Sequence, residues 1–459
     1  MRIFYNNGVK ESPYLCSRKN QSVRIMIKNI MLASLLMTGG FFPAFAQRQM
    51  SISQLFGKIE ENSKALLVSK SGVESAQLGV ESAKSKRLPD VDASLSFSYI
   101  GNALMTDRDF SDAQGLRSPH FGNDFSLQVQ QVVYAGGAID AGVKLAELGQ
   151  KAAETGVRLT RQQVRFIALG QYLDLYKTDN RIKVYNKNIA LTRRLIADIK
   201  EKQAQGMALK NDITRYELQM ESLKLGLVAL KNNRKILNHQ LCNTLGMDDT
   251  EEIMPDTTVA QALYPDDNEA YWQTEGVMNS PLLEQTSTAV QMAEQKEKIA
   301  KSDLLPKVAF VAADNFNGPV LFELPPVDKN LNVWYVGVGV KYSLSSLFKS
   351  NKRIKQSAVE SRQAREAHAV QAEQLSNNVQ EAYVRYRQSY VELETQEKNV
   401  ELARQNYDVM NARYLTQMAL VTDMVDASNL LLNAELSEVD ARINIVFAYY
   451  RMKYAAGVI

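Results

Sequence analysis

The chain has 459 residues, 45% of them hydrophobic and 23% charged, with a net charge of +3. That composition folds, and so small and scattered a positive balance excludes a nucleic-acid binder working through bulk charge. An aromatic content of 8% and a mean hydropathy of −0.27 exclude a bundle of membrane-spanning helices.

At the N-terminus, Arg24 and Lys28 precede an apolar run over residues 30–42, and Ala44-Phe45-Ala46 supplies a small-x-small cleavage pattern. Residues 1–46 therefore read as an export signal, with residues 1–25 an extension ahead of Met26 as the expected start. Gln47 rather than cysteine follows the cut, so no lipid anchor is expected there. Cys16 leaves with the signal and Cys242 remains alone, which rules out an intramolecular disulfide. No later segment has the length and apolarity of a transmembrane helix, so any crossing of a membrane must use strands.

The mature chain reads as one unit written twice. Ala83-Lys84-Ser85, Leu88-Pro89 and Val91 return in the same spacing as Ala300-Lys301-Ser302, Leu305-Pro306 and Val308. Met207-Ala208-Leu209 with Asp212 returns as Met418-Ala419-Leu420 with Asp423, and Gly246 returns as Gly457. Such self-similarity sets the architecture before any local reading. Repeat 1 is placed at 47–246, a linker or equatorial region at 247–280, and repeat 2 at 281–459.

Each unit opens on a helix and continues into period-two segments, expected as strands at about 90–101, 122–135, 307–316 and 333–347. Leu95, Phe97 and Tyr99 alternate with serines; Phe125, Leu127 and Val129 alternate with Ser126, Gln128 and Gln130; Val336, Val338, Val340, Tyr342 and Leu344 alternate with small or polar residues. Segments of about ten residues with one apolar face suit a barrel strand between lipid and water. Half-buried strands of a soluble sheet share that pattern.

Two proline-free tracts follow, between Pro119 and Pro255 and after Pro326. Interior proline breaks helices at about 3 kcal/mol, so helices are expected over about 138–245 and 352–456. Apolar residues recur at threes and fours, as Leu169, Tyr172, Leu173, Tyr176, Ile182 and Ile189, and again as Leu393, Val400, Leu402 and Tyr407. Polar residues fill the gaps, giving the narrow seam of a coiled coil. Each tract breaks once, at Gln205-Gly206-Met207-Ala208-Leu209 and at Thr416-Gln417-Met418-Ala419-Leu420. These breaks read as tips of antiparallel helical hairpins, with Gly206 and Asn211-Asp212 providing turn and N-cap chemistry.

Four strands cannot close around water, and edges open to lipid are not tolerated. The chain must therefore pool strands with other copies, and three copies reach twelve. The fold class expected is mostly α with transmembrane β: a duplicated helix, β-hairpin and long helical-hairpin unit. Three copies then form a twelve-stranded barrel.

These features resemble the TolC-like outer-membrane factor family over essentially the whole mature chain. Leu88-Pro89 and Leu305-Pro306 entering each first strand carry the resemblance. So does Tyr134-Ala135-Gly136-Gly137 where a strand turns into a long helix; Leu347-Phe348-Lys349-Ser350-Asn351 is assigned that turn in the second repeat, without the glycines. The resemblance implies a passive homotrimeric duct in the cell outer membrane, its β-barrel continuing into an α-helical coiled-coil barrel that projects into the periplasm. It also implies a periplasmic adaptor and an inner-membrane pump of the RND, ABC or MFS class as partners. Gly206, Met207, Ala208 and Leu209 match the adaptor-docking tip, with Met418, Ala419 and Leu420 as its counterpart. Asp423 and Asp426 match the constriction aspartates; spacing of three puts both on one helix face. Asp212 and Tyr414 match the inter-helix lock. Its arginine position is Ala419 here, leaving Lys210, Arg413 or a different device to hold the tip.

No enzyme constellation accompanies this. His120, His239 and His368 are far apart, and no phosphate loop or nucleophile elbow appears. No metal, cofactor or nucleic acid is therefore expected. Met207, Met220, Met410 and Met424 could be read as a soft copper path, but methionine at helical spacing is more simply packing. Tyr383, Tyr386 and Tyr390 form a stripe expected to pack between helices with hydroxyls toward a polar lumen. The alternatives are a periplasmic coiled-coil scaffold, which needs no lipid-facing strands, and a pump adaptor, which carries one hairpin and several soluble β domains rather than two equivalent hairpins.

Overall fold

A computed structural model describes residues 49–248, 251–261, 264–265, 267–323, 326–416 and 418–459. The expected signal at 1–46 and Gln417 of the second tip lie outside them. Among the described residues no helix is long and apolar enough to cross a membrane.

The two halves follow one plan. Short strand β1 (Gln49–Met50) leads to α1 (Ile52–Asn62) and α2 (Lys64–Ser85), then strands β2 (Asp90–Tyr99), β3 (Ala103–Met105), β4 (Gln114–Leu116) and β5 (Phe121–Tyr134). Helices α3 (Ala138–Ala204) and α4 (Lys210–Leu245) form the first hairpin. After β6 (Met254–Pro255) the plan recurs as α5 (Glu269–Asn279), α6 (Pro281–Ser302), β7 (Lys307–Gly318), β8 (Leu331–Lys341), α7 (Ser346–Leu415) and α8 (Val421–Ala455). At 67 and 70 residues, α3 and α7 each run about 100 Å at ~1.5 Å per residue. That is several times the thickness of a globular domain.

The four main strands form one antiparallel sheet in the order β2-β5-β7-β8, so the repeats meet at β5 and β7 and both outer edges are unpaired. Directly paired residues share a face. Val91, Leu95 and Phe97 therefore lie with Phe125, Leu127 and Val129, and through Ala312 and Phe310 with Val336 and Val338. The other face carries Ser94, Ser96, Ser98, Ser126, Gln128 and Asn315, with Ser126 Oγ donating to Asn315 Oδ1 at 2.9 Å. Every residue of β2 and β8 is exposed. A sheet so apolar on one side and so open at its edges is not built to stand in water.

One acid sits on the apolar face. Asp314 lies between Leu127 and Trp334, and its buried Oδ1 has no hydrogen-bond partner. Charge on a lipid-facing strand costs stability in a depth-dependent way. Asp314→Leu is expected to stabilise the detergent-solubilised protein by on the order of 1 kcal/mol per copy, read as a higher melting temperature; a fall shows that the carboxylate has a partner.

The last strand stops at Lys341 rather than running to 347, and residues 347–351 are the first turns of α7 rather than a turn between elements. The bend lies just before them, where Ser346 donates through both N and Oγ to the Ser343 carbonyl. Serine hydroxyls do here what glycines do in the first repeat, where Gly136 and Gly137 adopt φ of +62° and +81°. A Cβ on Gly136 would lie 2.8 Å from the Ser302 carbonyl oxygen.

In each half one long helix runs beside two shorter ones set end to end, α2 then α4 against α3, and α6 then α8 against α7. The hand-over points are Gly246 (φ +66°) and Gly457 (φ +74°), where a Cβ would meet Asn62 O at 2.4 Å and Asn279 O at 2.8 Å. Leu169, Tyr172, Leu173 and Tyr176 are buried at this level with α1, α4 and α8. Val400 and Tyr407 of the second seam are buried, whereas Leu402 is exposed because it lies outside the stripe that α8 covers. Tyr386 is buried, and its hydroxyl meets the Pro265 carbonyl and Tyr390 rather than a lumen.

Candidate functional site

The two tips come together at one end of the molecule. A concavity of about 370 Å³ is lined by Lys202, Gly206, Met207, Ala208, Leu209, Asp212, Tyr414, Ala419, Leu420 and Val421. It thus unites the residues assigned to docking, except Met418, with both lock residues. Gly206 makes the turn possible at φ +75°, a conformation with little cost only for glycine.

Both return helices start alike. Leu209 N–H donates to Asp212 Oδ2 and Leu420 N–H to Asp423 Oδ2, each at 3.0 Å. Asp212 is therefore the third helical residue reaching back, not the N-cap. Each carboxylate satisfies a backbone donor the helix start leaves unpaired and sits at the positive end of the dipole.

Below the tips, Leu195, Ile199, Ile213, Tyr216, Tyr407, Val421, Met424 and Ala427 form one buried cluster. This anchors the two hairpins to each other and leaves the leucines of the tip outside. Leu209 and Leu420 are both 70% exposed and Met418 73%. Exposed apolar groups of this kind are what partner surfaces are commonly built from. Met220 and Met424 are buried in packing clusters, the simpler reading of the methionines.

Asp423 and Asp426 are both exposed, while Met424 and Ala427 between and beyond them are buried. The acids thus share the outward stripe of α8. Asp423 is tied to the backbone; Asp426 projects with no partner of its own among the described residues.

Tyr414 and Asp212 line the same concavity, and burial followed by the Asp212 charge pushes the Tyr414 phenol above its usual range. The cation present is Lys202, whose ammonium lies 5.0 Å from the Tyr414 ring centre, within cation–π reach. Neither Lys210 nor Arg413 takes that place. Sequence reading missed Lys202 because its only local mark is being a basic residue in the last turn of α3.

Further up, polar ties join the first hairpin to α8: Gln219 to Asn429 at 2.6 Å, Lys187 to Glu435 at 2.6 Å, Asn188 to Glu435 at 3.3 Å, and Lys177 to Asp440 at 3.3 Å. Glu435 is 7% exposed, so its two cross-hairpin partners matter more than surface ion pairs do.

A sequence profile described as "Outer membrane efflux protein" matches residues 276–458. The second half of the chain is thus similar to outer membrane efflux proteins. The outer membrane efflux protein BepC of Brucella suis is 21% identical over 432 residues, covering 94% of this chain and 90% of BepC. Among solved structures, VceC of Vibrio cholerae has a TM-score of 0.74 at 14% identity, over 88% of this chain and 96% of that one. The CmeC outer-membrane channel of Campylobacter jejuni has 0.73 at 14%, over 88% and 85%. These likenesses place the chain's helical and β parts in one known fold.

Proposed function

We propose that three copies of this chain form a passive outer-membrane duct for a tripartite efflux pump or a type I secretion system. The observation that carries this reading is one continuous element order: a sheet apolar on one face and unpaired at both edges leads directly into helices of about 100 Å with exposed apolar tips. Three such sheets joined edge to edge give twelve strands, removing every edge from lipid. The polar face then lines water and the helices extend the passage away from the membrane. The tips are the surface for a periplasmic adaptor, and an inner-membrane pump supplies the energy. The test is planar-bilayer recording of the detergent-purified protein: a heat-labile trimer that conducts is expected, and a non-conducting monomer overturns the reading.

In that assembly Asp423 and Asp426 form rings of acids at the narrow end, which favour cations. Asp423→Asn with Asp426→Asn is expected to lower cation preference in single-channel recordings. The asparagine oxygen still accepts from Leu420 N–H, so the fold is not the variable. Unchanged selectivity removes both residues from the passage. Lys202, above Tyr414 and beside Asp212, takes the place of the family's arginine in holding the tip.

A further inference from the structure

We propose that Lys341 of one copy faces Asp90 and Asp92 of the next, and that this contact sets the register of the seam between subunits. The proposal rests on the trimeric reading above. Within the chain, Lys341 is directly opposite Lys307 on the polar face. Like charges so placed repel. Lys307 has Asp303 at 3.9 Å; Lys341 has no anionic partner among the described residues. Asp90 and Asp92, on the opposite edge strand, have no cationic one.

Strand geometry brings these groups together. Following paired residues across the sheet leads from Asp90 to Gln130, Val311 and Gly337, so Asp90 and Asp92 share the polar face with Gly337, Gly339 and Lys341. A seam between β2 and the next copy's β8 must keep apolar with apolar, which leaves only registers two residues apart. Pairing Lys341 with Asp90 matches all ten residues of β2 with residues 332–341. It raises the chain by four residues per copy, because Gly337 then meets Ser94, four positions beyond the starting Asp90. With strand spacing and rise as usual, that corresponds to a tilt of about 35° in a twelve-stranded barrel. Sliding by two pairs Lys341 with Asp92 at about 46°, and the registers on either side fall at roughly 19° and 54°, outside the range of membrane barrels. Both permitted registers set an aspartate against Lys341. The first also sets Phe97 against Trp334 and Leu95 against Val336 on the lipid face.

The test uses the full-length protein in outer membranes, with Cys242→Ser as background. Cα atoms opposite across antiparallel strands are about 4.5–5.5 Å apart, within disulfide reach. Lys341→Cys combined with Asp90→Cys or Asp92→Cys is expected to give covalent, boil-resistant oligomers on oxidation; Lys341→Cys with Ser98→Cys is expected to give none. Lys341→Glu is expected to lower the temperature at which the unboiled trimer dissociates, and Asp90→Lys with Asp92→Lys added to it to restore that temperature. A trimer that cross-links at neither aspartate, or that loosens on Lys341→Glu without restoration, overturns the register; the latter outcome assigns Lys341 to a lipid phosphate or a free anion. A wild-type protein that runs as a monomer overturns the trimeric reading itself.

Discussion

Lysine at Leu95, Phe97 and Val338 together is expected to abolish insertion of the protein into outer membranes. Each side chain lies on the apolar face, where Leu95 adjoins Phe125, Phe97 stacks on Phe121 at 5.8 Å, and Val338 adjoins Phe310. A lysine on the lipid face costs about 2–4 kcal/mol at the midplane. Three in each copy, repeated around a closed barrel, exceed the ~5–15 kcal/mol that holds a typical domain together. The helical hairpins carry their own buried clusters and should keep their far-ultraviolet helical signal. Membrane fractionation and an unboiled gel read the outcome: helical protein in the soluble fraction is expected. Insertion of a normal heat-labile trimer would show that this face never meets lipid, as a periplasmic scaffold requires.

Leu209→Ser with Leu420→Ser is expected to stop export while leaving the trimer unchanged. Both side chains are 70% exposed and take no part in the buried cluster beneath them, so their loss has little to remove from the fold. Covered by a partner, each leucine contributes about 1.5–3 kcal/mol. Losing two per copy weakens docking by well over the ~1.4 kcal/mol that corresponds to tenfold. The measurements are substrate accumulation in cells and co-purification with the adaptor, beside channel conductance in bilayers. Export lost with conductance intact is the expected pair. Export at the unmodified level makes the tips ordinary turns.

The fold was legible where a physical constraint leaves few choices. Pro89 and Pro306 bar a helix from continuing into the first strand of each sheet pair, and the long absence of proline afterwards admits α3 and α7. The alternation of Leu95, Phe97 and Tyr99 with serine shows a sheet face directly. Where several chemistries solve one problem, sequence reading failed. Glycine-less residues 347–351 were assigned a turn by analogy with Gly136-Gly137, while the serines just before them make it through hydroxyls. Asp212 was read as a cap from its residue type; only coordinates distinguish a cap from a third-position residue reaching back. Lys202 was invisible because a cation over a ring is set by the crossing of two helices far apart in sequence. The pairing of β5 with β7, which joins the two repeats, has no local signature either.

The end-to-end hand-over at Gly246 and Gly457 has a consequence for how such a conduit can vary. Because one helix stops and another starts at these points, each half stays two helices wide above and below them, and α3 and α7 run past without a break. Chain inserted at such a junction, as between α4 and α5, interrupts neither long helix. In the duct proposed above, that segment can lengthen or shrink while the hairpins keep their contacts.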